Sequence, residues 1–367
     1  MRIGLLLDNM ELKPGGALHN YVSHLVREWS RQHQVWQIGS HRYDLGQRWA
    51  GTIKMSPWRR WRRQVAARTD VVHRPLHVRI PESFFSLPRP RVVTVHGATV
   101  ITFARTGLFP RPQPTQLRFQ ERQGDVDLFL TVSESARREI VAECELPAER
   151  IDPIYLGVDP EVFFPPADKE AARRRARARL ALPGPYLLHV SNYRPTKNGA
   201  RIVAAYRRLW EQGRRDYSLV LAGEPKFGFE EVLRGIEQSP GRIVRLGRVV
   251  GRELTELYQG AEVYLSPSLH ESFGLPALES MACGVPAVVS KLYAHPEVTG
   301  GAAVEVDPEK TEEIASAAAR LLRDPAFYAE RRQAGLARSR QFRWDVCARK
   351  HVEAFERAIR LFAEKSK

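Results

Sequence analysis

The sequence predicts an α/β protein of the doubly wound, parallel-sheet kind, and three observations carry that reading. Arg2–Asp8 (RIGLLLD) is a short, almost wholly apolar run, as expected of a strand covered on both faces. A glycine-containing loop follows, and then Leu18, Tyr21, Val22, Leu25, Val26 and Trp29 recur at helical spacing before the next strand at Val35–Ile38. Another buried strand, Tyr186–Val190, opens the second half. With 367 residues, the chain has room for two domains of ordinary size.

Composition narrows the function classes. Hydrophobic residues make up 43%, enough for packed cores. Cys144, Cys283 and Cys347 are odd in number and far apart, without metal-ligand spacing, which fits a reducing cytoplasm. No apolar run approaches the roughly 18 residues that span a bilayer. Met1–Leu7 is too short for a signal segment and is broken by Asp8. The net charge of +15 and a pI near 10.0 point to an anionic partner: nucleic acid, an anionic membrane surface or phosphorylated substrates. No zinc finger, RNA-binding sheet signature or basic heptad pattern is present, so no nucleic acid is expected.

Taken in order, the loop after the first strand contains Gly15 and Gly16, which suit either a plain turn or close approach to a ligand. No G-x-G-x-x-G follows the strand, so the dinucleotide fingerprint is absent. Pro57–Arg68 (PWRRWRRQVAAR) reads as a helix with Trp58 and Trp61 on one face. It suits a membrane interface or acceptor docking, or else a surface helix with two buried tryptophans. Asp70–His73 ends a strand, and Arg91–Val95 is a strand that delivers His96 and Gly97 at its C-terminal edge, where open α/β sheets bind ligands. His96 could bond a sugar hydroxyl there, or simply a backbone carbonyl. Asp127–Ser133 is a strand leading to a helix capped by Ser133 or Ser135.

Pro165-Pro166 marks a break, and the Arg-rich helix Lys169–Leu182 reads as a solvated face. Pro183-Gly184-Pro185 resets the chain before Tyr186–Val190. The loop S-N-Y-R-P-T-K-N-G then brings Arg194 and Lys197, either as cations for a leaving diphosphate or as solvated loop charges. Strands follow at Leu219–Gly223, Ile243–Gly247 and Ala261–Ser266, with a helix at Arg252–Tyr258. His295, Pro296 and Glu297 fall in a later loop. Val346–Phe362 is the last helix.

The most informative stretch is Ser268–Ser290, SLHESFGLPALESMACGVPAVVS. Pro276 suits the first helical turn, Gly284 the helix end, and Ala287–Val289 a buried strand. The N–H groups of Phe273, Gly274 and Leu275 would then sit at a helix N-terminus suited to phosphate. Glu271 and Glu279, seven residues apart between them, are acceptors fit to grip vicinal hydroxyls. Equally, they could stabilise the helix dipole or lie on a solvated face.

E-S-F-G-L-P-A-L-E resembles the E-x7-E signature of retaining GT-B glycosyltransferases, in particular glycosyltransferase family 4. The resemblance runs from Arg2 to about Phe355 and is most specific from Gly247 to Pro308. It implies two Rossmann-like domains facing across a cleft: residues 1–168 for the acceptor, 183–345 for the nucleotide-sugar, and a helix at 346–367 crossing back to the first. Carried over by position, Glu271 meets the donor sugar and Glu279 the ribose, while the amides of Phe273, Gly274 and Leu275 face the diphosphate. Lys197 and Arg194 neutralise the leaving group, Val249 reads the base through its backbone, and Gly15 and Gly16 face the donor. His96 touches the sugar. The chain departs from the family pattern at Ser272, at Thr196, and at Gly97 in place of an aspartate, so His96 is not assigned as a general base.

The implied reaction is a metal-independent, retaining hexosyl transfer by front-face attack from a nucleoside diphosphate sugar. GDP-mannose is the first choice of donor, because H-P-E-V-T-G-G-A-A-V-E-V-D-P resembles bacterial mannosyltransferases. A UDP-sugar is the alternative. The acceptor is a glycan or lipid-linked saccharide, as in lipopolysaccharide assembly, with peripheral contact at the inner face of the cytoplasmic membrane. A catalytically inert GT-B subunit and a sugar-nucleotide epimerase are the readings from other classes.

Overall fold

The computed structural model describes residues 1–8, 10, 12, 16–40, 43–55, 58–104 and 114–365, without the side chains at 58, 59, 100 and 114–116. It forms two compact units. The first comprises Met1–Gly157 and Arg343–Lys367, and the second Val158–Phe342.

The first unit runs β1 (Arg2–Leu6), α1 (Ala17–Trp29), β2 (Gln34–Ile38), β3 (Gly51–Ile53), α2 (Trp58–Arg68), β4 (Val71–Arg74), α3 (Glu82–Phe85), β5 (Arg91–Thr94), α4 (Thr99–Ala104), α5 (Pro114–Glu121), β6 (Leu128–Thr131), α6 (Glu134–Cys144) and β7 (Ile151–Pro153). Its parallel sheet has the order β3-β2-β1-β4-β5-β6-β7. The strands are short apolar runs because helices cover both faces. Ser133 caps α6 by accepting from the Ala136 N–H at 2.9 Å. Helix α2 turns Trp61 (1% exposed) and Val65 inward, one helical turn apart, into the core with Phe84, Phe85 and Phe119. Trp61 therefore cannot insert into a membrane or dock an acceptor, which corrects half of the interfacial reading. The Trp58 side chain lies outside the described residues.

The second unit runs α7 (Lys169–Arg179), β8 (Tyr186–Val190), α8 (Gly199–Glu211), β9 (Ser218–Ala222), α9 (Phe229–Glu237), β10 (Ile243–Leu246), α10 (Arg252–Gly260), β11 (Val263–Ser266), α11 (Leu275–Ala282), β12 (Ala287–Ser290), α12 (Ala294–Thr299), β13 (Val304–Val306), α13 (Thr311–Arg323) and α14 (Pro325–Ser339). Its parallel sheet has the order β10-β9-β8-β11-β12-β13. The order reverses between β8 and β11, the switch point where such sheets open to ligands.

Residues 158–168 belong to the second unit. Val162 and Phe164 carbonyls accept from Thr255 (2.9 Å) and Gln259 (2.8 Å) of α10, and Phe163 packs edge-on to Tyr258. The arginines of α7 are not wholly solvated: Arg173 pairs with Glu262, and Arg179 with Glu253 and Glu256.

The final helix, α15 (Trp344–Lys365), packs in the first unit, against α1 and the ends of β4, β5 and β6. Trp29 Nε1 donates to the Ala348 carbonyl at 3.0 Å, Tyr21 Oη meets His351 Nε2 at 2.7 Å, and Lys365 pairs with the fully buried Asp127 at 3.1 Å. Among the described residues no helix is long and apolar enough to cross a membrane.

Candidate functional site

The site in the second unit is built by two loops that brace each other at the switch point. After β8 the chain makes a single 3-10 turn at Pro195–Lys197 and then Asn198 in the left-handed region (φ 60°), a conformation asparagine tolerates. Buried Asn198 donates through Nδ2 to the carbonyls of Pro267 (2.8 Å) and Pro308 (2.7 Å). The Leu269 N–H donates to the Thr196 carbonyl at 2.8 Å. The loop after β11 is thereby fastened to the loop that carries Lys197.

The bracing brings Lys197 Nζ to 2.7 Å from Glu271 Oε1. Ser268 Oγ donates to the same oxygen at 3.1 Å. Burial pushes the Glu271 carboxyl up, but the Lys197 ammonium outweighs it, together with positive charge at His295 and His270, and leaves it lowered to about 2. His295 is itself pushed down to about 4 by burial and is neutral at pH 7, so Lys197 carries the effect there. Arg194 opens the same turn, half-buried, its guanidinium pKa lowered by burial.

Helix α11 begins as the residue pattern predicts. Gly274 is the N-cap at φ 95°, Pro276 lies in the first turn, and Gly284 (φ 70°) follows the helix end. Only glycine fits at 274, since a Cβ there would lie 2.8 Å from the ring of His295, besides needing a left-handed backbone. The Phe273 ring is buried edge-on against Phe342 at 5.8 Å, so its contribution at the helix N-terminus is its backbone. The first N–H groups of a helix lack intrahelical carbonyls, and here they start beside Gly274 and Leu275. One turn in, Glu279 accepts from Tyr258 Oη at 3.0 Å, and burial raises its carboxyl to about 7 despite that bond. Val249 is half-buried in the loop between β10 and α10, its side chain packed on the core. His295, Pro296 and Glu297, expected in a loop, form the first turn of α12.

The structure thus brings Lys197, Glu271, Ser268 and the start of α11 together. Ser268, Tyr258 and Asn198 were not singled out in the sequence: Tyr258 looks like one more apolar helix residue, and a serine in a loop carries no spacing signal. Arg194 lies in the loop of Lys197 itself, and Val249 in the loop after β10, two strands away along the same sheet edge.

His96 belongs to the first unit. Its Nε2 donates to the Pro75 carbonyl at 2.9 Å, and burial lowers its pKa, so its Nδ1 is left as an acceptor. The Tyr21 ring stands edge-on to it at 5.0 Å. Gly16 is the extended N-cap of α1 (φ −78°, ψ 157°), while Gly15 lies outside the described residues. Where a family aspartate would follow His96, Glu139 of α6 reaches this loop instead, accepting from the Ala98 N–H at 3.3 Å and from Thr102 Oγ1 at 2.8 Å.

Comparison with known proteins agrees with this architecture. Residues 172–338 match the family described as glycosyl transferases group 1, and residues 18–162 match glycosyltransferase family 4. The O-antigen chain mannosyltransferase B of Escherichia coli is 31% identical over 269 residues, covering 72% of this chain and 70% of that protein. The serotype-specific mannosyltransferase WbdA of the same organism is 30% identical over 239 residues, but the chain spans only 29% of its length. Among solved structures, Anabaena HepE in complex with UDP and glucose superposes with a TM-score of 0.77 at 17% identity, over 96% of this chain and 98% of that one. At that identity the likeness speaks for the GT-B fold alone.

Proposed function

The chain belongs to glycosyltransferase family 4 and is a hexosyltransferase of GT-B fold, and from that premise we propose that it moves mannose from GDP-mannose to a hydroxyl of a glycan or lipid-linked saccharide with retention at the anomeric carbon. The observation that carries the reading is the Lys197–Glu271 pair beside the N-terminus of α11. When the glycosyl bond breaks, negative charge grows on the diphosphate. Lys197, Arg194 and the first amides of α11 are the preorganised positive groups for it. Glu271, ionised throughout the physiological range, accepts from sugar hydroxyls, and Glu279 from the ribose. His96 meets the sugar through its Nδ1 lone pair, and the leaving phosphate takes the acceptor proton.

The mannosyl donor is favoured by the two Escherichia coli relatives, both named as mannosyltransferases. A UDP-sugar is the second reading, favoured by the UDP held in HepE. The cations of the chain take the place of a metal in this scheme, so turnover persists in excess chelator. Peripheral contact with an anionic membrane rests on net charge and on exposed Arg60 and Arg63 of α2, without Trp61.

Calorimetric titration with GDP, UDP and ADP in parallel tests the donor. GDP preference is the expected result, UDP preference moves glucosyl or N-acetylglucosaminyl transfer to the front, and binding to none by folded protein leaves the inert-subunit reading. An inverted anomeric centre in the product, seen by NMR, would sink the retaining mechanism.

A further inference from the structure

At the switch point of the second sheet a side-chain relay stands that has no role in the scheme above. Strands β8 and β11 pair through Leu187 with Val263 and Leu188 with Tyr264. One residue beyond, the Leu265 carbonyl is met by a side chain instead, with His189 Nδ1 at 2.7 Å. The other ring nitrogen, Nε2, lies 2.7 Å from Ser191 Oγ. A carbonyl oxygen only accepts, so Nδ1 carries the proton. His189 is 1% exposed, and burial, against the Leu265 hydrogen bond, pushes its pKa down to about 4. In this neutral ring Nε2 is an acceptor, and Ser191 must donate its only hydroxyl proton to it.

A serine so held offers lone pairs alone. It cannot donate to a phosphate oxygen, but it can accept from a hydroxyl. Ser191 is half-buried at the C-terminal end of β8, in the loop that continues through Arg194 to Lys197. The site is built around it. A Cβ on Gly223 would lie 1.7 Å from the Ser191 carbonyl, and Tyr264 Oη donates to the Val190 carbonyl at 3.3 Å. Buried His189, held to β11 through the Leu265 carbonyl, fixes the direction of the Ser191 hydroxyl, while Tyr264 ties β11 to the end of β8.

We propose that Ser191 accepts a hydrogen bond from a hydroxyl of the bound donor, with His189 as the positioning residue that fixes the Ser191 proton. The inference rests on the nucleotide-sugar reading of this site. Ribose and the transferred sugar both offer such a hydroxyl. The test is calorimetric titration of the full chain with GDP, GDP-mannose, UDP and UDP-glucose, for wild type, Ser191→Ala, Ser191→Thr, His189→Leu and the Ser191→Ala/His189→Leu double variant.

Ser191→Ala is expected to weaken the preferred donor about tenfold, and Ser191→Thr, which keeps the hydroxyl, to retain most of the affinity. The double variant should bind no more weakly than Ser191→Ala, because both changes remove one interaction. Loss for both diphosphate and intact donor identifies a ribose hydroxyl, and loss for the intact donor alone a sugar hydroxyl. Unchanged binding by Ser191→Ala overturns the proposal whatever the fate of the buried His189, and additive losses overturn the relay. A folded wild type that binds none of the four probes overturns the nucleotide-sugar reading itself.

Discussion

Glu271 and Glu279 are chemically identical and lie one short segment apart, yet their surroundings push them in opposite directions. Glu271 shares its charge with Lys197 and is held at about 2, while Glu279 has a hydroxyl partner and is raised by burial to about 7. Their pH signatures therefore differ in sign. The folded pKa of Glu271 lies below the ordinary 4.5, so its pairing adds stability above that pH, lost as pH falls toward about 2. Glu271→Gln should flatten thermal unfolding midpoints across that window and cut turnover by about 10²-fold with the fold intact. For Glu279 the proton is held better folded than unfolded, so stability falls as pH rises through about 7. On the proposed role of Glu279 at the ribose, nucleotide binding runs the other way, because the ionised carboxylate is the form that accepts from both ribose hydroxyls. Affinity for GDP should drop as pH falls below about 7, and Glu279→Gln should remove that dependence; a drop that survives the substitution assigns the titration elsewhere.

At the scale of elements, the decisive part is the clasp between the two loops. Lys197 reaches Glu271 because Asn198 holds the carbonyls of Pro267 and Pro308 while adopting a positive φ. Asn198→Ala loses both bonds, leaves buried carbonyls unpaired and meets the backbone penalty as well. A loss of about 2–4 kcal/mol in urea unfolding is expected. Asn198→Gly removes the bonds without the φ penalty and should cost less, so equal losses would show that the backbone penalty contributes little and the lost bonds carry the effect. Both variants should lower turnover more than the fold is weakened, since they release Lys197. Helix α11 depends similarly on Gly274, where backbone angle and the His295 ring exclude any side chain.

At the scale of the whole molecule, the chain does not divide at one point. It leaves the first unit after Gly157 and returns to it at Arg343, so the last helix completes a core begun by the first. Trp29, 1% exposed, joins α1 to α15 through the Ala348 carbonyl and lies against Phe355 at 5.4 Å. Trp29→Ala should cost the first unit about 3–5 kcal/mol, seen as an early phase in urea unfolding, while GDP binding by the second unit persists. A single transition in which binding is lost with the first unit would show that the two units unfold together.

Most of the strands, the starts of α6, α7 and α10 and the outline of the E-x7-E corner are legible in the sequence, because they follow from local rules, whereas β3, β7, β13 and the helix at His295–Glu297 are not. A buried parallel strand is apolar, and proline is favoured in a first helical turn, where Pro276 stands. Which side chains meet is set by the folding of distant segments onto one another. Lys197 and Glu271 are 74 positions apart, and their 2.7 Å contact depends on loops fastened by Asn198. The transfer of residues 158–168 to the second unit and the His189–Ser191 relay were equally illegible in the sequence, while the inward turn of Trp61 was one of two readings that its helix left open. The reason is physical: helical and strand periodicities report which residues are buried, but hydrogen-bond partners and pKa values are set by neighbours from distant segments, and those are fixed only when the sheet closes its switch point.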